Sequence, residues 1–356
     1  LSTTTKLELL RHTPWPEGEL EHMAACPLCG SGDRHLLHDQ MIDDTFFAAT
    51  GVWTLHRCAG CGVAYLDPRP TPQGIDKAYL TYYTHVPGPR RKGYAELPFW
   101  RKLKRRVENG YVNRRYGGNL MPALRWNRWL APWFRGLRLA VDREHRHLPP
   151  LPASGATLLD VGCGSGSFLV AARSSGWSVV GLEPDPAAVA EGRRQGLDVR
   201  LGGVEHFGSS VALFDVITLN HVIEHVHDPL TVLRTCHRLL RPGGTLWLET
   251  PNIDALGHAW FGKSWRGLET PRHLVLFSDS SLRWALQQAG FDAVRHLPRL
   301  SAAKFTFKCS ERIRRGLDPN ARSPTPFLLR LKIRAAIVIA RGARRRAEFL
   351  TVIARR

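Results

Sequence analysis

Two matched cysteine pairs stand near the start of the chain: Cys26-Pro-Leu-Cys29-Gly30 and Cys58-Ala-Gly-Cys61-Gly62. Each pair sets two thiolates on one side of a tight turn, and the trailing glycine permits that turn. Together the pairs offer the four soft ligands of a tetrahedral structural zinc site, with no position left open for a substrate. The gap between them is longer than usual ribbon spacing, but a two-stranded hairpin spans it, and Trp53–Arg57 reads as the strand entering the second knuckle. The competing readings are four unconnected thiols, or a redox CxxC, which has no reason to occur twice with trailing glycines. His35, His38 and His56 lie nearby and read as surface or packing histidines.

The second cluster is Leu158-Leu-Asp160-Val-Gly162-Cys-Gly164-Ser-Gly166-Ser-Phe-Leu169. An apolar strand ends in Asp160, and a glycine-rich turn opens a helix whose free N–H groups and close backbone suit a nucleotide-like ligand. A second strand ends about 20 residues on, at Glu183, where a carboxylate can accept hydrogen bonds from both hydroxyls of a ribose. A dinucleotide fingerprint would want glycine where Ser167 stands. A tight strand-to-helix turn without a ligand is the bland alternative.

The third cluster is Asn220-His221-Val-Ile-Glu224-His225-Val-His227-Asp228-Pro229. It follows an expected fourth strand, where open α/β sheets bind their ligands. Histidine suits proton transfer near neutral pH. His225 beside Glu224 is the first candidate base and His221 the second, although such a pair also serves loop structure. His273, in Trp265-Arg-Gly-Leu-Glu-Thr-Pro271-Arg-His273, is a further acid or base, or a turn cap. Tyr79, Tyr82 and Tyr83, on an expected short helix over 71–85, either close over the pocket or simply pack.

Behind these residues the chain must supply a sheet. From Thr157 short apolar runs alternate with amphipathic helical segments, the pattern of parallel strands with crossover helices. Strands are expected at Thr157–Val161, Ser178–Leu182, Leu197–Leu201, Phe214–Leu219 and Thr245–Glu249, a helix at Ser280–Gly290, and closing strands at Phe291–Leu297 and Glu348–Ala354. The expected fold is a doubly wound α/β domain with a mixed seven-stranded sheet. Residues 1–22 read as a flexible arm, 23–70 as the zinc module and 71–150 as a basic, aromatic helical linker or lid. The run Pro149, Pro150 and Pro152 marks a boundary, and 151–356 is the ligand-binding domain.

The Asp160-x-Gly-x-Gly-x-Gly166 loop resembles motif I of the class I S-adenosylmethionine-dependent methyltransferases, and 155–296 resembles the ubiquinone-biosynthesis type. The knuckles with Tyr65-Leu-Asp-Pro-Arg-Pro70 look like the zinc ribbon of sugar C-methyltransferases. The resemblance implies that Gly162, Gly164 and Gly166 admit the methionine moiety, that Asp160 positions their loop and that Glu183 binds the ribose. Gly202-Gly-Val204-Glu205 would contact the adenine, with Asn220 beside the methyl donor. Many relatives carry Asp where this chain has Gly203, so Glu205 would replace that contact or it would be missing. The implied activity is methyl transfer to a small-molecule or glycan acceptor, such as a nucleotide-linked sugar or lipid-linked precursor.

Composition sets the remaining limits. The 356 residues carry a formal net charge of +19, which favours anionic partners. No apolar stretch approaches the roughly 20 residues of a membrane span, and no export signal is visible, so a cytoplasmic chain with reduced thiols is expected. The segment 97–140, with Trp100, Trp126, Trp129, Trp133 and Phe134 among many arginines, reads three ways. It packs its aromatic face on the core, lies on an acidic membrane surface, or contacts nucleic acid. The rival functions are an RNA methyltransferase and an inactive zinc-containing adaptor.

Overall fold

The computed structural model describes residues 3–80, 94–125, 134–151, 155–321 and 324–356. Its centre is a seven-stranded sheet. The strands are β6 (Thr157–Val161), β7 (Ser178–Glu183), β8 (Asp198–Leu201), β9 (Phe214–Asn220), β10 (Leu240–Pro251), β12 (Asp292–His296) and β13 (Phe349–Arg355). Their order is β8-β7-β6-β9-β10-β13-β12. All neighbours are parallel except at β13, which runs antiparallel to β10 and β12. The strand order reverses between β6 and β9, and a crevice opens beyond the carboxyl ends of strands at such a reversal.

Alternation along the central strands buries both faces. Leu158 and Val216 enter one apolar cluster, whereas Leu159, Val161, Ile217 and Leu219 enter the other. The first face is covered by α2 (Phe99–Tyr116), α3 (Arg135–Glu144), α4 (Ser167–Ser174) and α5 (Pro186–Arg194). The second is covered by α6 (Pro229–Leu239) and α8 (Asp279–Gln288). Local chemistry starts these helices: Asp185 and Asp228 cap α5 and α6, each followed by proline, and Ser278 forms a capping box with Ser281.

The cysteine-bearing segment folds onto the second face. It comprises β2 (Arg34–Met41), β3 (Trp53–Cys58) and β4 (Ala64–Leu66), with the short pair β1 (Leu20–Glu21) and β5 (Arg69–Pro70). A strand from the large domain, β11 (Val275–Leu276), completes the order β11-β4-β3-β2. Trp53, Leu55, Tyr65 and Leu66 belong to the same buried cluster as Leu233 and Leu282.

Three expectations need correction. In place of a flexible arm, residues 3–12 form helix α1, with Leu10 and Trp15 buried. Of the expected helix over 71–85, the described residues hold a 3-10 turn at Ile75–Tyr79; 81–85, with Tyr82 and Tyr83, lie outside the described residues. Residues 135–148 do not stand apart as a linker, because Arg146 reaches Asp160 in the sheet and Leu148 is fully buried. The strand expectations, by contrast, match β6 to β10, β12 and β13 to within a few residues, β10 being longer at both ends; β11 was not expected. Of the aromatic residues of 97–140, which read three ways, Trp126, Trp129 and Trp133 fall outside the described residues and Trp100 is 60% exposed.

The chain ends in α7 (Leu256–Phe261), α9 (Ala303–Arg314), α10 (Phe327–Gly342) and then β13. No described helix is long and apolar enough to cross a membrane.

A candidate cofactor crevice and its acceptor side

The glycine loop leaves β6 and passes over the ends of β7 and β9. Gly162, Gly164 and Gly166 have φ of +68°, +54° and +84°. That region strains any residue with a Cβ. The three are not equivalent. A Cβ on Gly162 would lie 2.5 Å from Val222 Cγ2, and one on Gly166 would lie 2.3 Å from Leu197 Cδ1. A Cβ on Gly164 would meet nothing within 4 Å. The outer glycines are therefore demanded by packing, and the middle one borders open space that a ligand can fill.

Glu183, at the end of β7, is buried and accepts hydrogen bonds from Gly164 N at 2.7 Å and Asp185 N at 3.1 Å. Burial raises its pKa despite those two donors. The acid therefore sits at the rim of the same open space. At the end of β8, Glu205 folds back to accept from Gly203 N at 2.5 Å, and a Cβ on Gly203 would lie 2.6 Å from its Oε2. The volume an aspartate would occupy at 203 is filled by Glu205. Val204 turns its side chain into the core. Asn220 ends β9, half-buried.

Asp160 differs from the loop-positioning role expected of it. It is fully buried and binds Arg146 Nη1 and, at 2.9 Å, Thr218 Oγ1. Arg146 also bonds Thr218 at 2.8 Å and lies 4.0 Å from the centre of the Phe168 ring. Through Arg146, Asp160 ties the segment that follows α3 to the sheet beneath the loop. Its second oxygen, Oδ2, is buried without a hydrogen-bond partner, an atom suited to a cationic ligand group. Sequence reasoning missed Arg146; its basic neighbours in 135–146 hid it.

The acceptor side lies past β9. His221 has φ +55° and places Nδ1 3.1 Å from Glu224 Oε1 and Nε2 3.5 Å from Glu249 Oε1. Burial alone would lower its pKa, but Glu224 and Glu249 outweigh that and raise it to about 9. His221 is thus a cation at neutral pH. Glu249 is buried at the end of β10, where Arg299, His221 and Thr351 hold it ionised against burial. Glu224 is buried, bonded to His221 and to Thr250 Oγ1 at 2.9 Å, and also held ionised.

His225 is partly exposed. Its Nδ1 is 3.0 Å from the Arg272 carbonyl and 2.9 Å from the Tyr79 hydroxyl. With the proton on Nδ1 the ring donates to Arg272 and leaves Nε2 as a lone pair; with it on Nε2, Nδ1 accepts from Tyr79. Either tautomer fixes the ring. His273 packs edge-on against His225 with ring centres 4.7 Å apart, and its Nδ1 donates to Gly267 O at 2.8 Å. Burial pushes His273 down to about 4, so it is neutral. Glu224, His225 and His273 can bring ligand atoms within 4.8 Å of one another.

Behind this group, Arg272 and Asp43 form an ion pair with no solvent exposure on either side chain. Asp43 also accepts from the backbone of Phe46, Ala48 and Ala49 at 2.9–3.0 Å. Arg272 donates to Ala78 O at 2.8 Å, one residue before Tyr79. Arg69 donates to His227 O at 3.1 Å, and His227 donates to Pro70 O at 2.9 Å. The cysteine module therefore braces the loop that carries Glu224 and His225.

In that module Cys26 Sγ lies 3.7 Å from Cys61 Sγ, and Cys29 Sγ lies 3.5 Å from Cys58 Sγ. All four sulfurs fall within 4.8 Å of one another. A tetrahedron with metal–sulfur bonds of about 2.3 Å has edges of roughly 3.8 Å, so the donor set fits a four-coordinate metal. Gly30 and Gly62 adopt φ of +74° and +76° and bond back to Cys26 O and Cys58 O. His38, expected as a surface or packing histidine, meets His258 with Nε2 atoms 2.8 Å apart.

A family model described as a methyltransferase domain matches residues 133–296. The ubiquinone biosynthesis O-methyltransferase of Pseudomonas paraeruginosa is 40% identical over 106 residues, 28% of this chain and 46% of that protein. That of Xanthomonas oryzae pv. oryzae is 38% identical over 109 residues, again 46% of its length. The chain thus spans less than half the length of these curated relatives. A solved S-adenosylmethionine-dependent methyltransferase from Archaeoglobus fulgidus is similar at 18% identity and TM-score 0.43, over 64% of this chain and 98% of that one. Residues 133–296 are thus similar to methyltransferase domains, and they share one core with the four-cysteine module.

Proposed function

We propose that this chain transfers a methyl group from S-adenosylmethionine to a hydroxyl of a small-molecule acceptor. The observation that carries the proposal is the open space at Gly164, bordered by Glu183, at the reversal point of the sheet. Glu183 would hold the ribose hydroxyls while keeping its bond to Gly164 N. The orphaned Asp160 Oδ2 would face the ammonium of the methionine moiety, and the turn Gly202–Glu205 would border the adenine. Bound there, S-adenosylmethionine supplies an electrophilic methyl carbon that an acceptor displaces in line.

On the acceptor side His225 takes the hydroxyl proton on its free nitrogen, in the manner of a general base. His221, already protonated, cannot do so and instead offers positive charge to an anionic acceptor or oxyanion. His273 stays neutral and sets the plane of His225. The names of the curated relatives favour oxygen as the atom methylated. The four cysteines would hold zinc, with a structural role, since all four positions are filled by thiolate.

A second reading is carbon methylation of a nucleotide-linked sugar or other glycan, favoured by the cysteine module braced against the acceptor side. The same proton-accepting residue serves both.

Calorimetric titration with S-adenosylmethionine tests the central claim. Saturable binding by the metal-replete chain is expected, weakened at least about tenfold in Glu183→Ala and absent for NADH, since hydrogen bonds to a charged group contribute about 1.5–3 kcal/mol. Absence of binding by folded protein would sink it.

A further inference from the structure

Helix α10 has two apolar faces. Leu329, Ile333 and Ala336 are buried against the protein, where α10 packs on α9 and α7. On the opposite side Phe327, Leu328, Leu331, Val338 and Ile339 are 71, 72, 43, 65 and 42% exposed. At 100° per residue these five fall within an arc of about 120°, centred roughly opposite the buried stripe. No described residue covers them. Arg330 and Arg334 flank the arc on one side and Lys332 on the other, all exposed. Between Asp318 and Glu348 the sequence contains eight Lys or Arg and no Asp or Glu.

We propose that α10 is a docking element for an anionic lipid surface, lying in the plane of the headgroups. A helix whose outer face is apolar and flanked by cations partitions at such an interface, apolar side chains entering the acyl boundary and cations meeting lipid phosphates. Charge complementarity singles out this occupant: an acid-free segment on a chain of net charge +19 repels a second copy of itself and attracts an anionic sheet. At 16 residues the helix is too short to span the bilayer. Its place in the fold is also suited to the task. It leads into β13, whose first residue Phe349 pairs with Pro251 at the carboxyl end of β10, the end of the sheet where the crevice opens. Docking through α10 would bring that end to the lipid, where an acceptor with an apolar tail is held. The docking itself does not depend on the catalytic reading.

The test is sedimentation of the full chain with vesicles of phosphatidylcholine, alone or mixed with phosphatidylglycerol as the anionic lipid. Binding is expected only to the anionic vesicles and should weaken with added salt. Leu328→Glu/Leu331→Glu/Val338→Glu and Arg330→Glu/Lys332→Glu/Arg334→Glu should each lower the partition coefficient at least about tenfold. Both sets of side chains are exposed, so the thermal melt and the affinity for S-adenosylmethionine should not change. No binding of the native chain to anionic vesicles, or binding by both variants that equals the native chain's, overturns the proposal. So does a solution dimer dissolved by the first variant, or retention of RNA in place of vesicles.

Discussion

Arg272 and Asp43, 229 positions apart in sequence, meet as a two-point ion pair with no solvent exposure: Nη2 lies 2.6 Å from Oδ1 and Nη1 2.9 Å from Oδ2. One residue belongs to the loop beneath His225 and the other to the cysteine module. Arg272 holds the Asp43 carboxyl below its usual range even though burial alone would raise it. Removing one partner strands a buried charge, which costs about 3–5 kcal/mol. Arg272→Met should therefore lower the urea midpoint sharply, and Asp43→Ala likewise. The double variant should be destabilised by less than the sum of the two. Strict additivity in that cycle would mean that the pair does not act as a unit.

His225 is the group whose loss should be felt in turnover and not in cofactor binding. His225→Asn keeps one hydrogen-bonding nitrogen position but no base. Its kcat should fall about 10²–10⁴-fold with the dissociation constant for S-adenosylmethionine unchanged. Tyr79→Phe, which removes the hydroxyl 2.9 Å from Nδ1, should produce a smaller loss. If His225→Asn turns over normally once an acceptor is known, the proton goes elsewhere.

His221 links stability to pH. An unfolded histidine titrates near 6.5, and the fold raises His221 to about 9. A raised pKa on a base means that the protonated form is favoured by folding. The stabilisation is complete below about pH 6.5 and is lost as pH rises through about 9. The ring edge reaches solvent, which limits the effect to about 1–2 kcal/mol. His221→Asn should be flatter than the native chain in stability between pH 6.5 and 9, measured by urea unfolding at each pH. Parallel curves would show that His221 is not the titrating group.

The four cysteines predict one metal per chain by elemental analysis, and none in Cys58→Ser. Chelation should lower the melting temperature of the whole chain, and not of a separate module alone, because Cys58 ends a strand paired within the shared core. Two separate melting transitions after metal removal would contradict a single cooperative core.

Much of the sheet was legible in the sequence, because parallel strands buried on both faces read as apolar runs, and the reversal to helical periodicity after Asp160 and Glu183 is abrupt. The cysteine pairs and the glycine loop were legible for a similar reason: their chemistry is local. What the sequence hid was long-range. β11 is two residues long and shows no alternation, so nothing announced that it would join β4. Arg146 and Asp43 were not singled out at all, because what marks them is their partners, Asp160 and Arg272, which no local motif announces. His221 ranked below His225 as a base on position alone. Its two carboxylate neighbours, one of them on a different strand, are what make it a cation.

The β4–β11 pairing also bears on how this protein can be cut or recombined. Leu276 and Val275 supply hydrogen-bonding partners to Ala64 and Tyr65, so neither half closes its own sheet. A chain shortened to its family-matching part would bare the apolar face now covered by Leu55 and Leu66. The complementary fragment would keep its sulfurs yet present β4 as an open strand edge, a template for pairing with other chains. Each piece is expected to aggregate when made alone and to recover solubility when the two are produced together. Inheritance of the module is thus bound to inheritance of the β11 strand, and grafting it onto a related domain would require that strand to travel with it.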